Sequence, residues 1–354
     1  MNAPFASTGE RVSLARLCDP GESARIEAYV AATGGSVFHR PAWLSAVEQG
    51  TGQRATGLLT ELGDTITGWL PLTQVHSPLF GRALVSSGFA VAGGVLARNE
   101  RSAQRLLTAA AELAARRACG TIELRGPAQA AGWTAITGKH ANFAADLAAD
   151  DEAQLLAIPR KHRAEVRKGL AADLTVEIGA DCRVRDAHYA VYAESVRNLG
   201  TPVFPRSLFD AVLDAFGGDA DILTVLHDGQ PVTSVLSLYH GGAVMPYWGG
   251  GTRAARALRA NERMYFELMR HARLRGCTRF DFGRSKTGSG PYHYKKNWGF
   301  SPEPLTYATW TAPGVAARNV DPASEEYSAR IEAWKRLPLP LANRIGPWIA
   351  RGLG

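Results

Sequence analysis

The chain carries an internal repeat. Val37-Phe38-His39-Arg40, with Trp43 three positions on, returns as Val203-Phe204-Pro205-Arg206 with Phe209 in the equivalent place. The run I-T-G-W-L-P-L at 66–72 returns as V-T-S-V-L-S-L at 232–238, and both pairs stand 166 positions apart (37 to 203, 66 to 232). Gly93-Gly94 returns as Gly249-Gly250 and Gly120 as Gly276, now 156 apart, so the second copy is ten residues shorter in one loop. Four markers in one order describe two copies of one folding unit. Each copy reads as an early helix, a hairpin or meander of alternating apolar strands, a glycine-rich stretch, an amphipathic helix, a glycine stop and a further strand. The amphipathic helix is expected over 102–119, with Leu106, Leu107, Ala110, Leu113 and Ala114 on one face, and over 261–275, with Met264, Leu268 and Ala272 at i, i+4, i+8. Strands, then a helix, then a strand give an α+β layout with a mixed sheet. At 354 residues and 45% hydrophobic content there is material for two or three packed cores.

Chemistry concentrates at 276–300, GCTRFDFGRSKTGSGPYHYKKNWGF. A short strand, with Phe280 and Phe282 alternating with polar neighbours, leads into a loop holding Gly283, Gly288 and Gly290 beside Arg284 and Lys286. An aromatic stretch with Lys295 and Lys296 beside Tyr294 and Trp298 follows. Cations fixed on a glycine-punctuated loop suit an anionic ligand or a developing negative charge. The pattern G-x-x-x-x-D-F-G, a variable loop, then aromatic-Lys-Lys-x-aromatic-Gly resembles the closing signature of the Fem-type peptidyltransferases, acyltransferases of the GNAT superfamily. More narrowly, GRSKTGSG, KKNWGF and the tail WKRLPLPLANRIGPWIARGLG look like the FemAB-like branch associated with exosortase/PEP-CTERM systems.

The resemblance implies two tandem GNAT-like (acyl-CoA N-acyltransferase-like) domains with mixed sheets, at 1–150 and 151–312, followed by a helical, basic tail at 313–354, with the ligand groove in or between the domains. It implies transfer of an aminoacyl or acyl group to an amine of a cell-envelope or exopolysaccharide precursor. Enzymes of this type use an aminoacyl ester on tRNA and a nucleotide-linked precursor, with no permanently bound cofactor. Their signature lysine, which steadies charge near the scissile ester, matches Lys295 after Tyr294, with Lys296 as the adjacent alternative. Asp281 either orients the substrate amine and takes its proton, or caps the following loop and pairs with Arg284. Arg284 and Lys286 are candidates for phosphate contact. Tyr247 and Trp248, before the triple glycine 249–251, form a wall of the site or belong to the core.

Between the copies, IPRKHRAEVRKGL at 158–170 reads as a helix with Pro159 in its first turn and Arg160, Arg163 and Arg167 on one face. Its five cations in nine residues suit phosphate, or simply a solvated face. Arg206 is a further candidate on the acceptor side. CoA-dependent GNAT enzymes place Arg/Gln-x-x-Gly-x-Gly/Ala before the central helix, whose amides then hold the pyrophosphate. Here the chain reads GGGTRAARALRAN, without that spacing, which favours aminoacyl-tRNA over acyl-CoA. No heptad run supplies a coiled-coil arm of the kind found in cell-wall Fem enzymes, which weighs against tRNA.

Net charge of +7 fits RNA, nucleotide-sugar or anionic membrane partners and singles out none. Four scattered cysteines read as reduced. No H-E-x-x-H metal motif, G-x-S-x-G elbow or P-loop occurs, and Asp281-Phe282-Gly283 lacks the other kinase motifs. The first residues have no apolar run of the signal-peptide kind, no span-length apolar segment follows, and a cytoplasmic setting is expected. The tail is expected to form a helix over 324–336, with Tyr327, Ile331 and Trp334 inward. Its last stretch docks on the protein or touches the inner membrane at its periphery. Pro338, Pro340 and Pro347 argue for docking.

Overall fold

A computed structural model describes residues 9–316, 318 and 325–354, with 325–330 as backbone only. The first eight residues and the side chain of Tyr327, both invoked above, fall outside what is described. The chain divides into two units, one from the described parts of 1–137, 306–320 and 351–354, the other from those of 138–305 and 321–350.

In chain order the first copy contains β1 (Arg11–Leu14), α1 (Pro20–Ala32), α2 (Pro41–Thr51), β2 (Arg54–Leu62), β3 (Thr65–Ser77), β4 (Gly81–Ser86), β5 (Leu96–Ala97), α3 (Glu100–Arg116), β6 (Thr121–Leu124) and β7 (Trp133–Asp146). The connecting helices α4 (Asp151–Ala157) and α5 (Arg160–Ala171) follow. The second copy runs β8 (Thr175–Gly179), α6 (Cys182–Leu199), α7 (Arg206–Phe216), β9 (Ala220–His227), β10 (Gln230–His240), β11 (Ala243–Gly251), α8 (Arg253–Leu258), α9 (Ala260–Leu274) and β12 (Arg279–Asp281). It ends in β13 (Ser285–Lys286), α10 (Gly290–Asn297) and β14 (Pro302–Thr311), and the tail forms α11 (Glu325–Arg336) and α12 (Leu339–Ala350).

The repeat is carried into the pairing. In the first copy β1-β2-β3-β4 are antiparallel neighbours and β4 then pairs β6 in parallel. In the second, β8-β9-β10-β11 are antiparallel and β11 pairs β12 in parallel. Both stripes read from the sequence are buried: Leu106, Leu107, Ala110, Leu113 and Ala114 on α3, and Met264, Leu268 and Ala272 on α9. Asn99 starts α3, its side chain accepting from Ser102 N at 2.8 Å. Each helix covers the sheet of its own copy because only that face is apolar.

The strand that completes each sheet comes from the other copy. β7, which ends the first copy, pairs antiparallel with β12, and β14, which ends the second, pairs antiparallel with β6. Local periodicity holds no information about this exchange, because any strand of suitable length could fill either edge.

Three local expectations are corrected. Pro159 stands at the N-cap, one place before α5, where its fixed φ of −52° leads into the helix. The aromatic stretch carrying the lysine pair is the helix α10, capped by Ser289, with Pro291 in its first turn. The prolines of the tail do not prevent a helix. Pro340 lies in the first turn of α12, where no N–H is needed, and Pro347 falls near its end, where few bonds are lost.

Candidate active site

The parallel strands β11 and β12 share only two pairs, Ala243 with Arg279 and Val244 with Phe280. Beyond them the strands no longer hydrogen-bond to each other, and β11 continues toward its glycines. Its register slips between Leu236/Trp248 and Ser237/Pro246, so Tyr247 is the extra residue of a bulge. Asp281 ends β12 at this opening, followed by a sharp turn at Gly283, whose φ of +71° lies where a side chain is strained.

Asp281 Oδ1 accepts from Gly283 N at 2.9 Å and from Asn142 Nδ2 at 3.2 Å. The Gly283 bond closes the turn, so the capping reading of Asp281 holds alongside any chemical one. Burial pushes the carboxyl above the usual carboxylate range, while Gly283 N–H, Asn142 and Lys295 pull the other way.

Lys295, on α10, points back at the same turn. Its Nζ donates to Gly283 O at 2.8 Å and Arg284 O at 3.1 Å. It lies over the rings of Phe143 (5.5 Å) and Phe282 (5.6 Å) and is only 9% exposed. Burial lowers its pKa to about 7, Asp281 opposing the shift and Arg284 adding to it. Two carbonyls accept from two of the three ammonium hydrogens. Lys296, one position on, is exposed and lies beside the Tyr292 ring at 5.9 Å.

The other sequence candidates are distributed as follows. Arg284 is half-buried at the turn and Lys286 is exposed on β13, paired in register with His140 of β7. Tyr294 faces away from Lys295, among His162 (5.6 Å), Tyr265 (6.0 Å) and Trp298 (6.4 Å). Trp248 is buried against Phe209 at 4.6 Å, a core position, and Tyr247 stands beside it on the bulge. Arg160 and Arg167 are exposed on α5, whereas Arg163 donates to the carbonyls of Ile158 and Leu156, both at 3.0 Å, and so closes the end of α4. Arg206 is paired with Asp186 and with Asp210. Asn142 and Phe143 carried no signal in the sequence. They reach Asp281 and Lys295 only because β7 pairs with β12.

The first turn of α9 packs closely against α5. A Cβ on Gly169 would fall 2.6 Å from Arg259 O and 3.2 Å from Arg263 N. Arg263 Nη1 reaches Leu170 O at 2.8 Å, and Glu165 pairs with Arg259. Gly169→Ala is therefore expected to cost about 1–3 kcal/mol, because backbone has to move. A urea midpoint equal to wild type would show that α5 and α9 do not meet this closely.

Among the described residues no group of three or more His, Cys, Asp or Glu could hold a metal ion, and no helix is long and apolar enough to cross a membrane. Residues 159–296 match a family described as Acetyltransferase (GNAT) domain. No curated protein matches the chain. The crystal structure of FemX is 16% identical, with a TM-score of 0.65 over 81% of this chain and 95% of that one. The C-terminal domain of a putative lysylphosphatidylglycerol synthetase from Agrobacterium fabrum is 15% identical, with a TM-score of 0.55 over 82% and 91%. A tandem GNAT protein from the clavulanic acid biosynthesis pathway is 13% identical, with a TM-score of 0.55 over 87% and 100%. Such likeness is one of fold. The chain is an α+β protein of two tandem GNAT-like domains with mixed sheets and a helical C-terminal end, and the matched stretch 159–296 holds both Asp281 and Lys295.

Proposed function

We propose that the chain is a Fem-type N-acyltransferase that moves an aminoacyl or acyl group onto an amine of a cell-envelope or exopolysaccharide precursor, in the setting of exosortase/PEP-CTERM systems that its signature resembles. The observation that carries this reading is the buried ammonium of Lys295, held by two carbonyls at the turn that Asp281 also closes. The amine nitrogen attacks the ester carbonyl carbon and gives up a proton to Asp281. The carbonyl oxygen, now an anion, takes the remaining N–H of Lys295. As the tetrahedral centre collapses, the C–O bond breaks and the leaving oxygen takes the proton held by Asp281, which yields an amide and an alcohol and restores the carboxylate.

An aminoacyl ester on tRNA is favoured over acyl-CoA as donor, since GGGTRAARALRAN lacks the glycine spacing that aims helix amides at a pyrophosphate. Arg160 and Arg167, exposed on α5, with Arg284 and Lys286 at the loop, supply cations for a phosphate-bearing substrate. Thermal-shift titration with acetyl-CoA, a non-hydrolysable aminoacyl-tRNA analogue and UDP-sugars separates the readings. Stabilisation by the tRNA analogue or a UDP-sugar is expected. Stabilisation by acetyl-CoA alone would point instead to a CoA-dependent N-acyltransferase on an amino sugar. Binding without turnover on any donor would reduce the chain to a nucleotide- or sugar-binding module.

A further inference from the structure

The helix α12 is inverted relative to an ordinary surface helix. It meets the body through its smallest residues, with Ala342, Gly346 and Ala350 buried and Gly346 lying against Val203. Its large residues point outward: Leu341 is 42% and Trp348 46% exposed, with Ile345 and Ile349 half-buried at their flanks. Arg344 is exposed between them at i+3 and i−4, and Arg336 is exposed just before the helix. The stretch 335–354 contains four cations and no acid. A solvated helix has no use for an outward leucine and indole on one stripe.

We propose that this face of α12 lies on the anionic surface of a lipid bilayer. Leu341 and Trp348 enter the boundary between headgroups and acyl chains, where an indole is favoured, while Arg344 and Arg336 stay at the level of the phosphates. The central arginine decides between occupants. A second copy docked face to face would bring Arg344 close to its own counterpart, like charge on like charge. An apolar groove on another protein would have to strip Arg344 of water without a carboxylate in return. A bilayer carrying anionic lipid satisfies the leucine, the indole and both arginines together. The proposal does not depend on the acyl-transfer reading, and its test requires no turnover.

Full-length protein is sedimented with sucrose-loaded vesicles of phosphatidylcholine alone and of phosphatidylcholine with about one third phosphatidylglycerol. Partition to the anionic vesicles is expected, weakening several-fold between low and physiological salt. Leu341→Ser/Trp348→Ser and Arg336→Gln/Arg344→Gln should each reduce it at least tenfold. Their melting temperatures should match wild type, because the docked face of α12 is untouched. Wild-type protein remaining in the supernatant, equal binding to both vesicle types, or binding indifferent to these substitutions would overturn the proposal. So would a dimer on gel filtration that Trp348→Ser dissolves, since a second copy would then be the occupant.

Discussion

Lys295→Met is expected to lower turnover on the productive donor by about 10²–10³-fold, the usual loss when one donor to a developing oxyanion is removed. The exposed Lys296, replaced by alanine, should stay near wild type. The same lysine leaves a thermodynamic mark that can be read without any substrate. Burial holds its pKa at about 7, against 10.5 for a free lysine. Between those values the unfolded chain binds the proton and the folded chain does not, so wild-type stability rises with pH across this window. The full span is on the order of 5 kcal/mol. Methionine abolishes that slope. The stability of Lys295→Met relative to wild type should therefore be highest at and below pH 7 and decline toward pH 10.5. The two lost bonds to Gly283 O and Arg284 O set a constant offset rather than the slope. A stability difference between the two proteins that is the same at pH 6.5 and 9.5 in urea unfolding would show that burial does not lower the Lys295 pKa.

Asp281→Asn is the second large effect, with turnover falling about 10²–10⁴-fold if the carboxylate takes the proton of the attacking amine. The fold should tolerate the change, because an amide oxygen can still accept from Gly283 N and Asn142 Nδ2. Burial raises the Asp281 pKa, so its ionised form costs the folded state at neutral pH and the neutral amide does not. The variant should be at least as stable as wild type at pH 8. In kcat/KM, the acid limb reports Asp281 losing its proton and the alkaline limb Lys295 losing its own. The substitution should remove the first limb. It should also move the second to lower pH, since the Asp281 charge helps keep Lys295 protonated. An alkaline limb that stays in place would mean the two groups do not act as a pair.

How much of this was legible in the sequence depends on the range over which each feature is determined. The helices α3 and α9 were readable because an apolar stripe is written in spacings of three and four residues, and both stripes are buried where expected. The repeat was readable because two copies of one unit keep their turn glycines and strand patterns in order, and the two copies share one strand path. The residues around Asp281 and Lys295 were marked by a local signature. The inward turn of Lys295 was not marked, because two adjacent lysines look alike until a helix points one at Gly283 and the other at solvent.

Everything that rests on long-range pairing lay beyond the sequence. Asn142 and Phe143 join the site only through the exchange of β7 and β14, since a strand's own pattern says which face is apolar but not which edge it will fill. The close packing of α9 at Gly169 and the shift of Lys295 toward neutrality are likewise properties of burial, which arises when distant segments close on one another. The sequence by itself determined two similar α+β halves and a cationic, glycine-turned loop in the second. Tertiary structure alone decided which cation is buried, what holds it and which face of the tail is left outward, because desolvation and hydrogen-bond partners exist only once the chain has folded.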